Sequence, residues 1–312
     1  MRTTRRSCAT APTLEEVTQS TVTTDDDRAR LRLIMETRQR RLLREQGAHH
    51  RGELGVQLAR TRERVDRAVE RAERLQRVGL LRHTQPSIDV ICVSRRPSYL
   101  GRALDNYRRQ ICPNTRLTFV ANSDSFDWGV TERALQEIPG AQLLRFPERL
   151  TLGDCLNEAI SATRGQFFAK FDDDDHYGAN YLSDLVLATR FADATIYGKR
   201  TFHAHVEATD CTVLCEEGHE FTYTNHVAGG TLLVRRHDVT DIRFASVGTG
   251  TDTRFREACL AAGRRIFSTD RFNYLLTRRA DPSHHTWQIS DEAFLTTARR
   301  IGDGLRLDQV LA

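Results

Sequence analysis

The sequence predicts an α/β domain, a mostly parallel sheet flanked by helices, preceded by an N-terminal helical arm. Three observations carry this reading. From Ser87 onward, apolar runs of strand length alternate with helix-patterned stretches, the order that builds parallel sheets. Before Gln85-Pro86 the chain is rich in Arg and Glu and, over 28–82, free of proline, which suits helix. The charge divides at the same place. Residues 1–86 hold 19 Arg against 12 acids, and residues 87–312 hold 27 basic residues against 30 acidic ones. With 312 residues, 39% of them hydrophobic, the chain can bury one large or two modest cores. That composition excludes a collagen, a mucin-like stalk and a fully disordered chain.

Taken in order, residues 1–27 are rich in Thr, Ser and Asp and read as a disordered lead. Residues 28–84 form the Arg/Glu-rich arm, broken into two helices by Gly47, Gly52 and Gly55. Within it Leu54, Leu58, Thr61, Val65, Ala68, Ala72 and Leu75 follow a 4-3 spacing. This is a coiled-coil-like seam, thin in Ala and Thr, through which residues 54–78 could join copies of the chain. Arg-rich helices can bind nucleic acid, but the acids interleaved here read as a solvated, ion-paired face, so no nucleic-acid partner is expected. Residues 88–93 read as a buried strand, followed by Pro97 and a helix over 98–110. Strands follow at 117–121, 142–146 and 166–171, with a polar turn at 122–125 and a helix at 153–163 that Gly165 stops. Further strands are expected at 195–197 and 230–234, and a helix at 252–262 closed by Gly263. Residues 291–312 are expected to form a helical tail.

No window approaches the length of apolar sequence that a membrane span needs, and the basic N-terminus lacks the apolar core of a secretory signal. The seven cysteines are scattered, several within apolar runs, and read as buried free thiols. A cytoplasmic location is the expectation.

Asp172-Asp173-Asp174-Asp175 is the sharpest chemical signal. Four adjacent carboxylates closing an apolar strand repel one another unless a cation sits among them. In an extended segment Asp172 and Asp174 would project to one side and Asp173 and Asp175 to the other, so one pair could hold a hard divalent ion. Mn²⁺ or Mg²⁺ matches carboxylate and phosphate oxygens. His203, His205, Cys211, Cys215 and His219 could be read as zinc ligands, but they lack the compact paired spacing of a zinc site. The alternation over 203–207 looks instead like an exposed strand face. Gly229-Gly230 would let the backbone pass close to a sugar ring on the acceptor side, or simply turn into a strand.

The order of these motifs resembles the inverting family 2 glycosyltransferases of the GT-A fold. The first strand with Arg96-Pro97 and the helix after it resembles their opening, Leu152-Gly153-Asp154-Cys155-Leu156-Asn157 their LG-x-x-x-N segment, and Lys170 to Asp175 their DxD region. With His285-Thr286-Trp287 added, the likeness is greatest to a bacterial subgroup that includes spore-maturation-type glycosyltransferases. It covers about residues 87–290 and leaves out the arm.

The resemblance implies a nucleotide-diphospho-sugar donor, UDP-type favoured, bound by residues 87–200, and a hydroxyl-bearing glycan or small-molecule acceptor bound by residues 201–290. The base and ribose would lie near Ser94, Asn122 and Asp172, with Arg96 and Asp124 also assigned to the nucleotide sugar, although Asn122 stands where the family usually has Asp. Asn157, Lys170, Asp173, Lys199 and Arg278 are assigned to the donor as well. The metal would bridge the diphosphate through Asp174, with Asp172 or Asp175 assisting and His285 a further ligand. Trp287, with Gly229 and Gly230, would face the acceptor. The family's Glu-Asp pair at a helix start appears here as Thr251-Asp252. Asp252 is therefore the candidate base that takes the acceptor's proton, its competing role being that of an N-cap. Lys170 and Lys199 are the two lysines of a chain that has 44 arginines. The resembling subgroup tends to have Lys at both places, and a compact ammonium is expected to be needed at one or both.

Two other functions compete. A nucleotidyltransferase or phosphohydrolase could use the same acids, but residues 92–96 offer arginines without the glycines of a phosphate loop. A non-catalytic assembly protein could act through the N-terminal helices alone.

Overall fold

The computed structural model describes residues 86–190, 192–280 and 290–311. The chain divides into one unit at Met1–Thr84 and another at Gln85–Ala312, and every described residue belongs to the second. The expected lead, the helical arm and its seam at 54–78 lie outside the described residues.

The first half alternates as its apolar runs predict. Strand β1 (Ile88–Ser94) leads through a 3-10 turn opened by Pro97, whose missing N–H costs nothing there, into helix α1 (Leu100–Arg108). Strand β2 (Thr115–Ala121), helix α2 (Trp128–Gln136) and strand β3 (Gln142–Arg145) follow. Helix α3 (Leu152–Ala162) opens with a capping box, Thr151 and Asp154 each accepting from the other's backbone N–H. Next come β4 (Phe167–Asp172), the short β5 (His176–Tyr177) and α4 (Tyr181–Ala188). The second half is mainly strands, β6 (Ile196–Gly198), β7 (Phe202–Val206), β8 (Cys211–Cys215), β9 (Thr222–Thr224) and β10 (Leu233–Arg235). Helix α5 (Thr251–Ala261), β11 (Ile266–Ser268) and β12 (Tyr274–Arg278) complete it. The tail holds α6 (Asp291–Thr296), β13 (Ala298–Asp303) and α7 (Leu307–Val310).

Eight strands form the main sheet in the order β3-β2-β1-β4-β10-β6-β11-β9. Its first four are parallel, and β10 runs antiparallel between β4 and β6. Both faces are covered, so successive residues of β1 enter different cores. Val90 and Cys92 pack with α1, α2 and α4, whereas Ile91 packs with Cys155, Leu156 and Phe255 from α3 and α5. Six cysteines, Cys92, Cys112, Cys155, Cys211, Cys215 and Cys259, are buried free thiols, as their apolar neighbours predict.

A second, five-stranded sheet, β13-β8-β7-β12-β5, departs from the sequence reading. The segment 203–207 is not an exposed face, because β7 pairs on both edges and every residue of it is buried. His203 sits against the Arg271 carbonyl at 3.1 Å. The tail is not all helix, since β13 extends this sheet beside β8. In the main sheet, the strand expected at 230–234 begins only at Leu233, the glycines before it forming a 3-10 turn. No helix among the described residues is long and apolar enough to cross a membrane.

Candidate active site

The site lies at the carboxyl ends of β1 and β4, where parallel α/β sheets bind their ligands. Val93 of β1 pairs with Asp172 of β4, so Ser94, Arg96 and the acidic run meet there. The run is not extended as expected. β4 ends at Asp172 and residues 173–175 bend. Each carboxylate therefore finds its own partner. Lys170 Nζ donates to Asp172 Oδ1. Asp173 accepts from Ser94 Oγ and from Arg96. Asp174 pairs with Arg279 and, at 3.2 Å, with Arg96, while its carbonyl accepts from Arg102 at 2.7 Å. The three guanidiniums gather around one ring, lying 4.6, 5.2 and 4.8 Å from the centroid of Tyr99.

Asp175 is a correction. Its two oxygens accept from Tyr274 Oη at 2.6 Å and from the Thr277 amide at 2.9 Å, so it faces the interior and not a metal. Burial first, then Asp174 and Asp172, push its carboxyl well above the usual range. Burial and Asp173 likewise raise Asp174, to about 6, with Arg96 opposing. Asp172 and Asp174 keep side chains 32% and 20% exposed, against 5% for Asp173. Among the described residues no three His, Cys, Asp or Glu groups converge as a closed cage. The exposed pair fits Mn²⁺ or Mg²⁺, ions commonly held by one or two carboxylates together with a substrate's phosphates.

Asp252 stands on the other side of the site. It is the second residue of α5, and the N-cap is Gly250, which offers no side chain. The capping role thus falls away. Asp252 Oδ2 lies 3.2 Å from Lys170 Nζ, and Oδ1 is buried without a hydrogen-bond partner. Burial raises this carboxyl above its ordinary value, with Lys170 opposing and Asp172 adding. Gly229 and Gly230 pass close by, with no room for a side chain on either. A Cβ on Gly229 would lie 2.4 Å from Asp252 Oδ2, and one on Gly230 within 2.9 Å of both Asp172 and Asp175. The pair is glycine because the chain's own carboxylates and, at Gly230, the Tyr274 hydroxyl occupy that space.

Several residues expected at the donor are held by partners within the chain. Lys199 is fully buried against Asp270. Both ends of the Asn157 amide bind the Phe244 backbone, at 2.9 and 3.0 Å. Asn122 is taken by Arg95 and the Pro147 carbonyl, and Asp124 is exposed on the loop after β2. Arg278 turns to Asp291 and Phe294, whereas its neighbour Arg279 reaches Asp174. His285 and Trp287 lie outside the described residues. Arg102 and Tyr99 were missed at the site, and of the basic pair Arg278-Arg279 it is Arg279 that reaches Asp174. Strand alternation held a clue, since only one of two adjacent arginines can face the cleft.

Residues 89–225 match the family model for glycosyl transferase family 2. The segment is a family 2 glycosyltransferase domain. The TarS 1-349 structure from S. aureus, in complex with UDP-GlcNAc, matches at TM-score 0.53 and 14% identity, over 68% of this chain and 64% of that one. A second S. aureus TarS structure matches at TM-score 0.50 and 14% identity, over 61% of this chain and 36% of that one. The chain thus spans less than two thirds of either TarS chain, and at such identity the likeness shows the GT-A fold. The mannosyltransferase PcManGT from Pyrobaculum calidifontis, in complex with GDP-Man and Mn²⁺, reaches TM-score 0.47 at 17% identity over 77% of this chain and 69% of that one, too faint to argue from. No curated protein matches the chain in sequence.

Proposed function

We propose that the chain is a metal-dependent, inverting glycosyltransferase that moves a sugar from a nucleoside-diphospho-sugar to a hydroxyl group of a glycan or small molecule. The observation that supports this best is Asp252, whose Oδ1 has no hydrogen-bond partner and whose Oδ2 pairs with Lys170 of the strand that leads into Asp174. A carboxyl raised by burial, with one oxygen uncommitted, is equipped to take the proton of an acceptor hydroxyl as that hydroxyl attacks the anomeric carbon. Asp174, with Asp172 next to it, would hold Mn²⁺ or Mg²⁺, a Lewis acid that offsets the charge gathering on the departing nucleoside diphosphate. Arg96, Arg102 and Arg279 lie where phosphate oxygens would meet them, and a guanidinium fork fits such oxygens. Ser94 and Asp173 tie Arg96 in place.

Donor hydrolysis in Mn²⁺ across a panel of nucleotide sugars tests this, with UDP-sugars first because a TarS structure holds UDP-GlcNAc. One or more donors should be hydrolysed, and Asp252→Asn should lower turnover by about 10²–10⁴-fold while still binding UDP. Asp174→Asn should weaken the response to Mn²⁺. If no nucleotide sugar is turned over and none shifts the melting temperature, the proposal fails.

A further inference from the structure

Lys170 is 3% exposed, and its ammonium has three N–H groups and three acceptors. These are Asp172 Oδ1, Asp252 Oδ2 at 3.2 Å and the Gly229 carbonyl at 3.3 Å. These contacts turn the ammonium toward the chain's own groups. The two carboxylates come from different elements, Asp172 from the end of β4 and Asp252 from the first turn of α5. Lys170 touches both.

We propose that Lys170 is a positioning residue, whose ammonium fixes the Asp252 carboxylate relative to the donor end of β4 and leaves Oδ1 of Asp252 uncommitted. This rests on the reading of Asp252 as the base. The geometry gives the reason. Oδ2 is pinned between Lys170 Nζ and the bare backbone of Gly229, so only Oδ1 stays uncommitted. A guanidinium would not replace the ammonium, because its planar fork cannot serve three acceptors grouped around one point.

Full-length Lys170→Arg, Lys170→Ala and Gly229→Ala variants test it, the last pressing on Asp252 from its other side. Hydrolysis of a nucleotide sugar that the wild type turns over is the assay, water standing in for the acceptor, and UDP with Mn²⁺ is the binding probe. In Lys170→Arg and Gly229→Ala, kcat should fall about 10²-fold while donor KM and UDP affinity stay within about threefold. Ethylamine should restore part of the lost kcat in Lys170→Ala, a rescue that a purely structural lysine would not show. Lys170→Arg or Gly229→Ala with kcat unchanged would overturn the proposal, as would a loss confined to UDP affinity. If a Lys170 variant does not fold, Gly229→Ala decides alone. A wild type that binds UDP and Mn²⁺ while these variants behave normally refutes the positioning role only. One that binds and turns over no nucleotide sugar refutes the glycosyltransferase reading, and this inference with it.

Discussion

The two lysines of this arginine-rich chain do different work. Lys199 Nζ lies 2.9 Å from the Asp270 carbonyl and 3.1 Å from its carboxylate, with no surface exposed. Removing one member of such a buried pair leaves the other charge unpaired. Lys199→Met should therefore cost about 3–5 kcal/mol of stability, read as a lower urea midpoint, with UDP affinity of the folded protein unchanged. Weaker UDP binding at unchanged stability would return Lys199 to the donor site. A rare residue type thus pointed to two positions but not to their roles. Both are counter-ions buried within the chain, and neither has an N–H shown reaching the cleft.

At the scale of elements, the Leu152-to-Asn157 motif holds one segment to another. A Cβ on Gly153 would lie 2.1 Å from the Ala245 carbonyl, and Asn157 clasps the Phe244 backbone, so α3 grips the loop that runs into α5. Asn157→Ala should lower stability by about 1–3 kcal/mol in urea denaturation while leaving UDP affinity intact. Weakened UDP binding in that variant would show that the amide serves the donor. The elements legible in the sequence share a cause. β1, β2 and β4 are near-continuous apolar runs because both their faces are buried, and α3 and α5 carry clear start and stop signals. The second sheet was illegible for the opposite reason. Its strands include β5 of two residues, β7 with two histidines and β13 with two arginines, and they pair across long separations that no local pattern records. The same gap hid the interior placement of Asp175, which depends on Tyr274 and Thr277 of β12. Asp174 and Asp252 were legible through motif order, but the arginines on Asp174 come from two distant stretches of chain, 96–102 and 279.

For the whole molecule, acid is the condition to watch. Burial lowers His176 to about 4, helped by Arg102, Arg109 and His205. Burial also lowers His226 to about 4, with Arg256 and Arg200 acting in the same direction and Glu216 against them. An ordinary imidazole titrates at 6.5. Between these values the unfolded chain binds protons that the folded chain refuses. The histidines' contribution is therefore complete above 6.5 and is lost as the pH falls through about 4. Urea midpoints should drop across that window, and a His176→Asn/His226→Gln double variant should flatten the drop. An unchanged slope would mean that both imidazoles are protonated in the folded chain. The buried thiols offer a way to watch such opening without adding a label. Cys92, Cys112, Cys211 and Cys215 lie in one core, the last two from the second sheet, and Cys155 and Cys259 in the other. With Cys8 replaced by serine, a thiol-reactive dye has no exposed target among the described cysteines until one of these layers parts. The order in which the six become modified would then be a map of which layer gives way first.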